Sequence, residues 1–202
     1  MDYKDIDKRK TAFIFELDDV LYPAKDYYFQ AYYLFANMLE YIELTDAKAA
    51  TKVLTDTYIT EGKDTAFNRL TEQFPVAEQY RDKFENLLLT AKLPLKLLLY
   101  QNILTLMQDI VVDRKKLFIV TNGNVQEQVN KIKQTEWHGL EKYLRCYFTE
   151  ETVPKPEPDV INLLIQEHGL QRKEIIMIEN SETDRLCAEA SGIDSINVKD
   201  FL

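Results

Sequence analysis

Cysteine is nearly missing from this chain: Cys146 and Cys187 are the only two in 202 residues. They form no CxxC pair, and the two histidines, His138 and His168, are isolated from each other and from both cysteines. A disulfide framework and a zinc site are therefore not expected, and the chain reads as a reduced protein. Glycine is scarce too, with five residues, and none lies in a GxxxxGK[ST] or GxGxxG loop, so neither nucleotide-binding signature is available. There is no long apolar run. The richest stretch, LLLTAKLPLKLLLYQNILTLM, is broken by Lys92, Pro94 and Lys96 and does not read as a membrane span. Positive charge is in deficit, 25 Lys and Arg against 34 Asp and Glu, and the net charge of -9 argues against a broad nucleic-acid-binding face. It leaves room for a locally positive site that takes a small anion. The opening MDYKDIDKRK is charged rather than apolar, so no secretory signal is read there. The expectation is a cytoplasmic protein with neither nucleic acid nor membrane as partner; homo-oligomerisation is left open.

What is present is the composition of a folded domain, 46% hydrophobic and 29% charged. Short apolar runs rich in Ile, Val and Phe fall at about residues 12–17, 116–121, 145–149, 174–179 and 194–198. Runs this short and apolar on both faces suit strands of a parallel sheet covered on two sides. Helical patterns occupy about 124–135, 158–168 and 182–191, and Gly169 and Gly192 stand where two of them should end in a left-handed cap. The alternation predicts an α/β fold with a doubly wound parallel sheet. Residues 24–92 break it with helix-length patterns only, so a helical insertion is expected after the first strand, with Pro94 near its exit.

Functional groups of such a sheet gather beyond the carboxyl ends of its strands. The first strand delivers Glu16, Asp18 and Asp19, and the second Thr121-Asn122-Gly123. After the third comes VPKPEP, in which two prolines stiffen the loop around Lys155. The fourth delivers Glu179-Asn180-Ser181, with Asp184 beyond. Acids, a hydroxyl beside backbone N–H groups, and one held lysine on a single rim suit a hard cation together with a phosphate.

In order and spacing, FELDDVLYP, IVTNGN, VPKPEPDV and IMIENSETD resemble the four motifs of the haloacid dehalogenase superfamily. That resemblance implies a Rossmann-like core at 1–23 and 94–202 carrying an inserted all-helical cap at 24–93. It also implies Mg²⁺-dependent phosphoryl transfer through an acyl-phosphate, acting on a small phosphorylated molecule. Glu16 then takes the nucleophile position, and Asp18 that of the general acid and base. Thr121 and Lys155 bind the phosphoryl oxygens with Asn122 and Gly123, while Glu16, Asp18, Glu179, Asn180 and Asp184 surround the metal. Retention of Asp18 implies the phosphatase branch rather than true dehalogenases.

Two positions depart from that pattern. Glu16 replaces an aspartate, extending the attacking carboxylate by a methylene, and a misplacement of about 1 Å can cost ~10²-fold in rate. Asn180 replaces the first acid of the fourth motif, which keeps an oxygen but removes a charge; Glu179 beside it could restore one. A weakly held Mg²⁺ and slow turnover are expected. A non-catalytic binding or regulatory protein is the rival reading, and a receiver-like phospho-acceptor domain a third, against which the helical insertion and the Asp18 spacing count. Asp19 is expected to be structural, since alternation turns it away from Glu16 and Asp18. The aromatic stretch Tyr27 to Phe35 is expected to form helical core or a subunit interface.

Overall fold

The computed structural model describes all 202 residues, Met1–Leu202. The chain divides into two compact units. One comprises Met1–Pro23, Leu98–Gln128 and Thr135–Leu202, the other Ala24–Leu97 and Val129–Gln134. The boundary expected from sequence fell at 93/94 and left 129–134 in the first unit.

The first unit is built on five strands, β1 (Ala12–Phe15), β2 (Lys116–Thr121), β3 (Leu144–Phe148), β4 (Ile175–Glu179) and β5 (Asp194–Asn197). Their order across the sheet is β3-β2-β1-β4-β5, and every neighbouring pair is parallel. The eight α-helices are α1 (Lys25–Glu43), α2 (Ala47–Glu61), α3 (Lys63–Gln73), α4 (Arg81–Thr90), α5 (Gln101–Val112), α6 (Val125–Gln134), α7 (Asp159–His168) and α8 (Glu182–Ser191). The sheet grows from β1 outward to β3 and then restarts on the other side of β1 with β4. The carboxyl end of β1, flanked by β2 and β4, is thus the switch point at which sheets of this kind place their chemistry.

Strand alternation explains the double coverage. Ala12, Ile14, Phe118, Val120, Ile175 and Met177 pack with Val160, Ile161 and Leu164 of α7 and with Cys187 and Ala188 of α8. The alternate residues Phe13, Phe15, Leu117, Ile119, Ile176 and Ile178 are also buried, so the second face is covered as well. Burying each such side chain is worth about 1.5–3 kcal/mol. The runs of β1, β2 and β4 read as apolar because neither face meets water, whereas the edge strands β3 and β5 are half-exposed. Gly169 and Gly192 cap α7 and α8 in the left-handed conformation, with φ of 59° and 63°.

The helical unit buries an aromatic cluster. Tyr32 stacks on Phe84 at 5.7 Å, Phe67 approaches Phe84 at 4.7 Å, and Phe35 meets Phe84 edge-on at 5.0 Å. Tyr27, Tyr28, Tyr32 and Phe35 of the aromatic stretch are buried and form core, while Phe29 is half-buried and Tyr33 is exposed. No helix is long and apolar enough to cross a membrane.

Three local expectations change. The β1 ladder stops at Phe15, so Glu16 and Leu17 lie beyond the strand. The helix-length patterns expected within 24–92 are interrupted at Pro75–Tyr80, a 3-10 turn that precedes α4. Helix α5 was unanticipated, because it follows the Lys- and Pro-interrupted stretch and carries no side-chain cap on Tyr100.

Candidate active site

The first unit brings Glu16, Thr121, Lys155 and Asp184 into direct contact. Glu16 follows the last residue of β1, and its backbone N–H still reaches Ile178 on β4 at 3.3 Å. Thr121 is the last residue of β2, and its hydroxyl donates to Glu16 Oε1 at 2.5 Å. The Leu17 backbone N–H donates to the same oxygen at 2.9 Å. Lys155 donates from Nζ to Glu16 Oε2, to Asp184 Oδ1 at 2.5 Å and to the Val120 carbonyl at 3.2 Å. Asp184 sits in the first turn of α8, where the Ser181 hydroxyl donates to its Oδ2 at 2.6 Å. None of the four is more than 7% exposed.

Two carboxylates thus share one ammonium out of contact with bulk water, an arrangement that survives only with good geometry and satisfied lone pairs. Burial pushes the Glu16 carboxyl above the usual carboxylate range, against the pull of Lys155. Burial also disfavours the Lys155 ammonium, but Glu16 and Asp184 outweigh it and hold its pKa above the ordinary lysine value. Lys155 is a fixed positive charge at neutral pH.

Asn122 and Gly123 shape the neighbouring wall. Asn122 Oδ1 accepts from the Thr149 hydroxyl at 2.7 Å and from the Lys155 backbone N–H at 3.1 Å, tying the Lys155 loop to the end of β2. Gln128 donates from Nε2 to the Asn122 carbonyl at 2.8 Å and to Asp18 Oδ2 at 3.4 Å. Gly123 has φ of 109°, a backbone conformation that selects glycine, and a Cβ there would stand 3.0 Å from that same Gln128 nitrogen and press on it. Asp18 lies beside the cluster, half-buried, in a loop where the Asp19 N–H donates to the Tyr22 carbonyl at 2.9 Å. Asp19 has φ of 59°, so strand alternation does not govern where its side chain turns.

Glu179 and Asn180 stand at the end of β4. Glu179 Oε1 accepts from Asn197 on β5 at 3.4 Å, and burial raises its carboxyl pKa. No three His, Cys, Asp or Glu side chains are grouped so as to hold a metal ion. The oxygens offered by Asp18, Asn180 and Asp184 are of the kind a hard cation takes, but Lys155 already bridges Glu16 and Asp184.

The sequence matches the haloacid dehalogenase-like hydrolase family over residues 13–198. The chain belongs to that family. No curated protein matches it in sequence. Among solved structures, a haloacid dehalogenase (HAD) hydrolase of Bacillus subtilis described as bound to magnesium is 21% identical, with a TM-score of 0.62 over 93% of this chain and 86% of that one. A HAD-superfamily hydrolase of subfamily IA from Geobacter sulfurreducens is 19% identical, with a TM-score of 0.57 over 94% and 87%. A HAD-family hydrolase of Deinococcus radiodurans with bound phosphate and sodium is 16% identical, with a TM-score of 0.56 over 95% and 81%. At these identities the likeness establishes the fold.

Sequence reasoning named the acids, Thr121 and Lys155, but passed over Gln128, Thr149 and Asn197 as partners of the site. Thr149 carries no local signal, because its partner lies 27 residues away, and Gln128 reaches both the Asn122 carbonyl six residues before it and Asp18 110 residues before it. Ser181 had one: SETD places an N-cap serine three residues before an acid at the start of a helical pattern.

Proposed function

We propose that this HAD-fold chain is a phosphatase-type hydrolase acting on a small phosphorylated metabolite, slowed by Glu16 and Asn180. The observation that carries the reading is the meeting of Thr121, Lys155 and Glu16 at the switch point of the sheet, where a hydroxyl and an ammonium face a carboxylate. In this reading a carboxylate oxygen of Glu16 bonds to phosphorus while the ester P–O bond breaks, and Asp18 gives its proton to the leaving alcohol. Water then attacks the acyl-phosphate, Asp18 takes the water's proton, and phosphate leaves with the Glu16 carboxylate restored. Thr121, Lys155 and the backbone around Asn122 and Gly123 hold the phosphoryl oxygens as charge develops on them.

A weakly bound Mg²⁺, held by oxygens drawn from Glu16, Asp18, Glu179, Asn180 and Asp184, would supply neutralisation of the phosphoryl charge. Lys155 competes for two of those five residues, and Asn180 contributes no charge.

A phosphatase screen on pure protein, with and without Mg²⁺, tests the reading. Glu16→Asp should turn over ~10²-fold faster than wild type, about 2.7 kcal/mol of barrier, because shortening the side chain retracts the nucleophile to the family position. Undetectable turnover in wild type, Glu16→Asp and Glu16→Asp with Asn180→Asp would overturn it. The rival reading, a non-catalytic binding or regulatory protein, draws support from one feature: both oxygens of Glu16 are already bonded to its own chain.

A further inference from the structure

A tetrahedral oxyanion entering this rim needs hydrogen-bond donors, and the buried donors here are the Thr121 hydroxyl, the Lys155 ammonium and the Leu17 N–H. All three are directed at the Glu16 carboxylate. Glu16 accepts the first and third on Oε1 and the second on Oε2, while remaining only 7% exposed. A carboxylate so placed is an anion bound in an anion site. Its bonds to a hydroxyl, an ammonium and an amide are the ones a phosphoryl group would make.

We propose that Glu16 is the resident occupant of this anion site, filling it with the chain's own carboxylate, so that phosphate binds only when Glu16 is withdrawn or removed. This deepens the hydrolase reading, resting on its assignment of Thr121 and Lys155, and assigns its slowness to occupancy as well as to reach. The extra methylene is what makes occupancy reachable. The carboxylate extends from the end of β1 to donors on β2 and on the Lys155 loop. An external phosphate must displace it against like-charge repulsion, since Lys155 already serves the carboxylates of Glu16 and Asp184 and a further anion beside them would go uncompensated. Asp184 makes the arrangement separable. Lys155 keeps a carboxylate partner at 2.5 Å when Glu16 is gone, so removing Glu16 frees donors without stranding a buried charge.

The test is binding of inorganic phosphate, read by titration calorimetry or ³¹P line broadening, and needs no turnover. Wild type should show no saturable binding at low millimolar phosphate. Glu16→Ala should bind at least ~10-fold tighter, and Glu16→Asp should fall between. Adding Thr121→Val to Glu16→Ala should remove the gain, which locates the bound anion. Folding of each variant is checked by its thermal transition. For Glu16→Ala that transition should also rise with added phosphate, which an unfolded or misfolded chain cannot show. Wild type binding phosphate as tightly as Glu16→Ala would overturn the proposal, as would a gain that survives Thr121→Val. The two readings fail separately. Phosphate gained by Glu16→Ala with no turnover in any variant keeps the resident occupant and removes the hydrolase; turnover with unchanged phosphate affinity does the reverse.

Discussion

At the residue scale, the centre of the molecule is one lysine serving two acids. Deleting the cation is the severe change, because Lys155→Met leaves Glu16 and Asp184 buried side by side with no positive charge between them. Breaking a buried pair from one side costs roughly 3–5 kcal/mol. Glu16→Gln should cost much less, since the amide oxygen still accepts from Thr121 and Leu17 while Lys155 keeps Asp184. Urea denaturation at pH 7 should rank Lys155→Met far below Glu16→Gln, and the gap should narrow in acid, where Glu16, whose carboxyl burial already raises, takes up a proton and one of the two stranded charges is lost. Equal midpoints for the two variants would show that the triad is not a buried ionic unit. The members of this triad were legible in sequence because each lies at or just past a strand end or in a proline-stiffened loop. Their mutual bonding was not. Glu16 and Lys155 are 139 residues apart, and nothing in a linear pattern says that a glutamate will turn back onto the Thr121 hydroxyl and the Lys155 ammonium.

Elements explain why the site holds its shape. Helix α8 begins at Ser181, whose hydroxyl oxygen accepts from the Asp184 N–H at 3.2 Å while its O–H donates to the Asp184 carboxylate. One residue therefore both starts the helix and orients the acid that holds Lys155. Ser181→Ala should lower stability by about 1 kcal/mol, the usual value of a lost N-cap, read as a shift in denaturation midpoint without a change in slope. Ser181→Asn, which keeps a capping oxygen, should stay close to wild type; a midpoint for Ser181→Ala at or above that of Ser181→Asn would show that capping is not the contribution. The same physics decides what sequence reveals of the fold. Strands β1, β2 and β4 were visible because both faces are covered, and α7 and α8 because each ends in a left-handed glycine. Helix α5 was hidden: Tyr100 offers no capping side chain, no glycine ends the helix, and the residues before it mix lysine and proline among leucines. The break at Pro75–Tyr80 was blurred because its residues continue a pattern that α4 completes.

Across the whole molecule, groups with opposite shifts set how stability follows pH. Burial raises the carboxyls of Glu16 and Glu179, so the folded state takes up their protons first; stability from that source is present at acid pH and is lost as pH rises through their folded values. His168, the last residue of α7, works the other way. Its ring lies 4.7 Å from that of Phe118, with Nε2 2.9 Å from the Tyr147 hydroxyl. Burial, with the charges of Lys116 and Arg145 against that of Glu167, depresses its pKa below the ordinary value. The unfolded chain therefore binds that proton first, and the contribution of His168 is intact above about pH 6.5 and fades as pH falls through it. A net charge of -9 adds to the carboxylate side of this balance, because protonation relieves self-repulsion. Wild type should thus show a shallow profile in which the two effects partly cancel. His168→Gln removes one of them. Denaturation midpoints of wild type and His168→Gln should differ by a constant amount above pH 7, and the variant should gain on wild type steadily between pH 7 and pH 5. Parallel profiles through that interval would mean that His168 titrates alike in both states, and that packing against Phe118 and Tyr147 leaves its proton affinity unchanged.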